Sequence, residues 1–124
     1  MPGETTLPID VTPDTFDTIT FHGAIAEDLP AQHYFYYAER DVVVDAFYVI
    51  NDTDDTDATV DLKDDGTSIL TAALSIAGQD AVKTGSIDTS KNIISAGSLV
   101  TIHFASITEA NNVVVQMRVR SKRK

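Results

Sequence analysis

Apolar and polar side chains alternate along several short segments of this chain, most clearly over residues 58–63 and 113–119. Alternation with a period of two places the apolar side chains on one face of a half-buried β-strand. No stretch of ten or more residues has apolar side chains at the spacing of an amphipathic helix, and only residues 72–77 leave a helix in competition. The sequence therefore predicts an all-β protein.

Turn-forming residues separate these segments at intervals of roughly 8–12 residues, the spacing typical of antiparallel β-sandwiches and barrels. Asp64, Asp65 and Gly66 are the strongest turn signal, because Asp-Gly readily adopts the positive φ angles of a tight hairpin. The pattern predicts seven to eight strands in one domain. The predicted strands begin near residue 17 and cover 33–37, 42–50, 58–63, 68–76, 82–87, 99–104 and 113–119.

Two of the predicted strands carry most of the apolar side chains. Residues 42–50 form the longest apolar run and have β-branched or aromatic side chains on both faces, which predicts a central strand buried on both sides. Residues 68–76 are the predicted hairpin partner of 58–63, with alternate apolar residues from Leu70 to Ile76 on one face. Together they define the expected core.

The two ends of the chain differ from its middle. Prolines at positions 2, 8 and 13 remove backbone donors and favour extended chain, so we interpret residues 1–16 as an extended N-terminal arm. Residues 17–120 are the predicted β-sandwich domain. Residues 121–124 form a basic C-terminal tail, which is interpreted as a solvated chain end or as a short arm that docks on the acidic body of a neighbouring copy.

Charge is distributed unevenly along the chain. All 19 acidic residues but only four of the nine basic residues lie within residues 1–117. Such an acidic body repels nucleic acid and anionic membranes, because binding to either depends on neutralising phosphates with Lys and Arg. No apolar run approaches the ~18 residues needed to span a bilayer, and no secretory signal is visible. We therefore expect neither nucleic acid nor membrane as a partner.

The acidic loop over residues 52–57 is the first candidate metal site. An EF-hand register that starts at Asp52 puts Asp57 where Gly is required and Lys63 where the bidentate Glu belongs, so that motif fails. An acidic, solvated turn is the favoured interpretation, and a loosely held Ca²⁺ in another geometry stays open.

Evidence for an enzyme is sparse. The chain has no cysteine, and His22, His33 and His103 have no mutual spacing typical of a metal site. No nucleophile or phosphate-binding motif is present, although a carboxylate pair for glycoside hydrolysis stays open, since its separation is set by the fold. We predict no cofactor and no enzymatic activity.

The tyrosines allow two interpretations. Exposed aromatic side chains on a sheet stack against sugar rings, which favours a receptor- or carbohydrate-binding module. Packing in the core or between subunits is the favoured interpretation. The tyrosines concerned are Tyr34, Tyr36, Tyr37 and Tyr48.

The pattern of segments resembles that of capsid decoration (cement) proteins and related accessory proteins of tailed bacteriophages. The resemblance rests on an aromatic strand, an Asp-Asp-Gly hairpin, an Ala-Gly turn before a strand and a Val-rich last strand. It covers roughly residues 17–120. The segments that carry it are His33–Tyr37, Val42–Val44, Ala58–Gly66, Asn92–Gly97, Val113 and Val115.

This resemblance implies a jelly-roll sandwich that assembles as a homotrimer on the three-fold or quasi-three-fold positions of a capsid, without catalysis. The expected partner is the major capsid protein, and the expected location is the virion surface after synthesis in the host cytoplasm. Proteins of this kind often reach across capsomers with an N-terminal arm. The residues predicted to bind partners are Leu7, Pro8, Ile9, Val11, Phe16, Tyr34 and Tyr36.

Overall fold

The computed structural model describes residues 16–23 and 31–121, and all regular secondary structure in these ranges is β-strand. The prediction of an all-β protein is confirmed for this part of the chain. Four of the strands, β5 to β8, have only two residues each. In chain order the strands are β1 (Phe16–Gly23), β2 (His33–Tyr37), β3 (Val42–Ile50), β4 (Thr59–Asp64), β5 (Thr67–Ser68), β6 (Leu74–Ser75), β7 (Lys83–Thr84), β8 (Ile93–Ile94), β9 (Leu99–Ala105) and β10 (Val113–Ser121).

The strands form two antiparallel sheets, which we name after their central strands. In the β9 sheet the order is β2, β9, β4, with β5 and β6 following one another along the free edge of β4. In the β10 sheet the order is β1, β10, β3, with β7 and β8 along the free edge of β3. Consecutive strands from β1 to β4 therefore alternate between the two sheets.

The two sheets pack together through one apolar core, so the prediction of an antiparallel β-sandwich is confirmed. Alternate residues of β10 from Val113 to Val119 are buried, as the period-two pattern predicts. Removal of this apolar surface from water is the main stabilising term of such a fold. The largest fully buried side chains are Phe47, Leu62, Ile69, Ile76, Ile94, Ile102 and Met117.

Strand β3 is central, as predicted, because it pairs with β10 on one edge and with β7 and β8 on the other. Its residues Val43 and Ala46 lie opposite Arg120 and Arg118 of β10 and share the outer face of the sheet with them. Both are buried by neighbouring side chains, whereas Tyr48 on the same face is half-buried. Within the described residues no further layer covers this outer face.

The predicted hairpin at Asp65 and Gly66 is confirmed. These two residues have φ angles of 50° and 89°, and β4 and β5 pair on either side of them through Lys63 opposite Ser68. Positive φ at both central positions matches the right-handed twist of the flanking strands. The Asp-Gly sequence therefore sets this turn locally.

The prediction of one continuous strand over residues 68–76 is wrong. The Ile69 N–H still donates to the Leu62 carbonyl of β4 at 2.8 Å, but the chain then leaves β4, and Leu70 forms an isolated bridge with Ile87. The Thr71 N–H donates to the Ser86 carbonyl at 2.9 Å, and the Asp88 N–H donates to the Ile69 carbonyl at 2.8 Å. Residues 69–71 are thus hydrogen-bonded to residues 86–88, which follow β7 of the β10 sheet. The chain then returns to β4, where β6 pairs with it. We call this junction, residues 69–71 with 86–88, the closed side of the sandwich.

Candidate functional site

The opposite side of the sandwich is formed by β1 and β2. Within the described residues β1 pairs only with β10 and β2 only with β9, so each strand leaves one row of backbone groups without a ladder partner. The rings of Phe21 on β1 and His33 on β2 meet between the strands, with centroids 4.2 Å apart. We call β1 and β2 together the open side. It is the candidate functional site.

Large apolar side chains are exposed at the open side. Tyr34 on β2 is 70% exposed, Tyr37 on the same strand is 57% exposed, and Phe16 at the start of β1 is 55% exposed. Leu99 of β9 lies opposite Tyr37 and is also exposed. These four are among the six large hydrophobic side chains exposed in the described residues, the others being Val82 and Ile93. Exposed apolar side chains on strands with an unpaired edge are typical of an interaction surface.

A β-bulge determines which tyrosines reach the surface. Strand β2 pairs with β9 through Tyr37, Tyr36 and Tyr34, and the register shifts between Tyr36 and Tyr34, so that Phe35 is the additional residue. Strict alternation would place Tyr34 and Tyr36 on one face. Because of the bulge, Tyr34 shares the outer face with Tyr37 instead.

Tyr36 lies on the inner face of β2. Its side chain packs against the core opposite buried Val100. Burial raises the pKa of its hydroxyl, Arg40 lowers this pKa by a smaller amount, and Asp17 raises it. Tyr48 lies on the other sheet, opposite Thr84, and is half-buried. The four tyrosines thus do not form one platform, and Tyr34 with Tyr37 is the exposed pair.

Phe16, predicted to belong to the arm, is the first residue of β1 and lies opposite Arg120. The guanidinium carbon of Arg118 stands 5.3 Å from the centroid of its ring, within the range of a cation–π contact. Arg120 pairs with Asp45 at 3.0 Å. The start of the open side therefore combines an exposed aromatic ring with positive charge. Leu7, Pro8, Ile9 and Val11 lie outside the described residues.

The acidic loop between β3 and β4 is built differently from the solvated turn that the sequence predicts. The side chain of Asp55 is buried and accepts hydrogen bonds from the backbone N–H groups of Thr108, Glu109 and Ala110 at 2.9–3.1 Å. Burial alone would raise the pKa of this carboxyl, but the hydrogen bonds outweigh it and hold the pKa below its usual value. Asp55 therefore anchors the loop between β9 and β10.

The other polar groups of this loop also bind protein donors. Asp54 accepts the Gly78 N–H at 2.8 Å, and Asp52 accepts a hydrogen bond from the Asn112 side chain at 2.6 Å. The Asn51 side-chain oxygen accepts a hydrogen bond from Lys83 Nζ at 2.6 Å. In residues 16–23 and 31–121, no group of three or more His, Asp or Glu side chains is arranged to hold a metal ion.

The three histidines lie in three different environments. His22 is exposed on β1, and His33 packs against Phe21 between the sheets. His103 lies within 2.9 Å of the Thr101 hydroxyl, and burial lowers its pKa, helped by Lys63 and opposed by Asp61. They therefore do not converge on one site.

The last residue of β4, Asp64, has a carboxyl group for which the sequence predicts only a role in the turn. Asp64 lies opposite Val100, and its Oδ1 is buried with no hydrogen-bond partner. Burial raises the pKa of this group, a Ser98 hydrogen bond lowers it, and the neighbouring Asp65 raises it further. Because the Asp-Asp-Gly sequence reads as an ordinary turn, nothing in it indicates that Asp64 points inward.

No known protein family matches the chain, and no curated protein sequence is significantly similar to it. The part of the chain that the structure describes contains no helix able to cross a membrane.

Proposed function

We propose that this chain is a non-enzymatic structural protein of a virus particle, which binds the outer surface of the capsid as a homotrimer and stabilises the shell. The observation that carries the proposal is the open side, where β1 and β2 each leave one backbone edge unpaired within the described residues. Tyr34 and Tyr37 expose their rings on the outer face of β2, and Phe16 exposes its ring at the start of β1. Exposed edges and apolar patches are liabilities for a lone subunit, and symmetric assembly covers both.

The strand order supports a jelly-roll topology. When β5 with β6 and β7 with β8 are each counted as one interrupted edge strand, each sheet has four positions. Strand β10 then lies between β1 and β3, and β9 lies between β2 and β4, which is the nesting of two Greek keys. Seven to eight strands would be the corresponding count. Jelly rolls are common in viral capsid proteins.

The charge distribution supports an outer position on the shell. An acidic body disfavours contact with packaged nucleic acid, because it adds repulsion in place of phosphate neutralisation. In the proposed arrangement the open side contacts the neighbouring subunit. Residues 1–16, with Leu7, Pro8, Ile9 and Val11, would contact the major capsid protein at the virion surface. A specific contact of this kind buries about 1,600 Å² in total.

The first test is the mass of the purified protein in solution. We expect a trimer in both cases: three times 13.4 kDa for the full chain, and three times the correspondingly smaller chain mass for a variant that lacks residues 1–15. The truncation ends before Phe16 so that β1 remains intact. A monomer across the accessible concentration range would contradict the proposed trimer.

The second test concerns the shell itself. The full chain should bind capsids that lack their decoration protein, whereas the variant without residues 1–15 should not bind although its circular dichroism is unchanged. Retained binding by this variant would contradict the role of the arm.

The alternative function is a receptor- or carbohydrate-binding module of a tail fibre or spike. The exposure of Tyr34 and Tyr37 on one face favours it, because sugar rings stack on such side chains. A glycan array distinguishes the two functions. Hits that disappear in a Tyr34→Ala variant would favour the module, and an array without hits would exclude it.

A further inference from the structure

Lys83 and Asn51 bring an amine and a primary amide together at one end of the β10 sheet. Lys83 lies on β7 opposite Val49, and Asn51 follows the last residue of β3. The Lys83 Nζ donates hydrogen bonds to Asn51 Oδ1 at 2.6 Å and to the Gly78 carbonyl. Because a carbonyl bond is about 1.2 Å long, Nζ lies within about 3.8 Å of the amide carbon Cγ.

The amide of Asn51 is held firmly. The residue has no solvent-exposed surface. Its side-chain nitrogen donates to the Thr53 carbonyl, and its backbone carbonyl accepts the Asp80 N–H at 2.8 Å. A reacting group fixed within van der Waals distance of its partner has already lost the freedom that an encounter in solution would cost, which accelerates reaction between the two groups.

The surroundings also favour the reactive form of the amine. Burial lowers the pKa of Lys83, while the charges of Asp54 and Asp80 raise it by a smaller amount. A lowered pKa increases the fraction of neutral amine at a given pH, and the neutral amine is the nucleophilic form. The Asp54 carboxylate accepts a hydrogen bond from the Gly78 N–H, and the carbonyl of the same glycine accepts a hydrogen bond from Lys83.

We propose that Lys83 and Asn51 form an intramolecular isopeptide bond between their side chains. The neutral Nζ attacks Cγ of Asn51, and a bond forms between Nζ and Cγ. One proton passes from Nζ to the departing amide nitrogen. The bond between Cγ and Nδ2 then breaks and ammonia leaves. The reaction needs no oxidant, reductant or external co-reactant.

The bond would fix an edge of the sandwich that is otherwise held by few backbone contacts. Strand β7 has two residues and pairs with β3 through Tyr48 and Val49 alone. A covalent link from Lys83 to Asn51 closes residues 51–83 into a loop that contains β4, β5 and β6. Such a closure restricts the unfolded chain as a disulfide does, in a protein that has no cysteine. It is independent of the capsid role.

The intact mass of the purified full chain tests the proposal directly. We expect it to be about 17 Da below the mass calculated from the sequence, the mass of one ammonia lost to amide formation. Tryptic digestion should yield a branched peptide that joins the segments around Asn51 and Lys83, without cleavage after Lys83. A full sequence mass, or a digest in which both segments appear separately, would overturn the bond.

Two lysine variants exclude another source of the same mass loss. Asn51 precedes Asp52, and closure of Asn51 to a cyclic imide would also release ammonia. In Lys83→Met the full sequence mass is expected, whereas Lys91→Met, which changes an exposed lysine elsewhere, should keep the loss. A loss that persists in Lys83→Met would assign it to the imide and overturn the proposal.

Discussion

The closed side and the open side of the sandwich differ in how the edges of the two sheets are covered. On the closed side, backbone hydrogen bonds between residues 69–71 and 86–88 join the edges of both sheets, and Leu70 is buried beneath them. On the open side, β1 and β2 each leave one row of backbone groups without a ladder partner within the described residues. Both strands also carry exposed aromatic rings. The comparison teaches that hydrogen-bonded, buried contacts are concentrated at one side of the sandwich, and exposed aromatic surface at the other.

The sharpest test of this comparison makes the same substitution on both sides. Leu70→Ala removes a side chain that is 3% exposed and should lower the free energy of unfolding by about 2–5 kcal/mol, since it leaves a cavity. Leu99→Ala, on the open side, should cost less than about 1 kcal/mol, because Leu99 is 37% exposed. Urea denaturation measures both. Equal losses would break the comparison.

Hydrogen bonds to the Asp55 carboxylate join the loop between β9 and β10 to the loop between β3 and β4. Asp55→Ala leaves three backbone N–H groups without this acceptor and should lower the free energy of unfolding by about 1–3 kcal/mol. Asp57→Ala, at an exposed position of the same loop, is the matched control and should change it by less than about 0.5 kcal/mol. A larger effect at Asp57 would contradict the anchoring role.

The same carboxyl gives a pH dependence of known sign. Because the pKa of Asp55 is lower in the folded than in the unfolded protein, its contribution is complete above the unfolded value of 3.8 and is lost as the pH falls through the folded value. The unaltered protein should therefore lose stability below about pH 3.8 more steeply than Asp55→Asn does. If the free energies of unfolding of the two proteins fell in parallel between about pH 5 and about pH 2, the prediction would be contradicted.

The smallest expected effect on stability is on the open side, where the effect on assembly should be large. The double variant Tyr34→Ser with Tyr37→Ser should change the free energy of unfolding by less than about 0.5 kcal/mol, because both side chains are exposed. If the proposed trimer forms through these side chains, the mass of the variant in solution should be that of a monomer. A stable trimer in this variant would place the subunit contact elsewhere.

The parts of the fold that the sequence predicts are those with a local cause. The Asp65-Gly66 turn needs only the positive φ angles that these residues tolerate, and β10 is fixed by its alternating apolar residues. The break after Ser68 has no local signal, because Leu70 pairs with Ile87 only once both sheets are assembled. The long apolar run of β3 predicts its central position, and Val43 and Ala46 on its outer face are buried although no further layer covers them within the described residues.

The candidate site was predictable only in part. A run of aromatic residues indicates a strand in which some aromatic side chains face away from the core, and Tyr34 is exposed on β2. The bulge at Phe35 exchanges Tyr36 for Tyr37 on the outer face, and a bulge depends on the partner strand rather than on the residues of β2 itself. The approach of Lys83 to Asn51 joins residues 32 positions apart, so no spacing rule could have found it.

The pairing of β1 with β10 sets the order in which this molecule can be completed. Phe16 lies opposite Arg120, so the first described strand closes its sheet against the last one. During synthesis β1 can pair with β10 only after Val113–Ser121 has left the ribosome, and pairings between such distant segments form slowly. The strand that carries Phe16 therefore joins its sheet late.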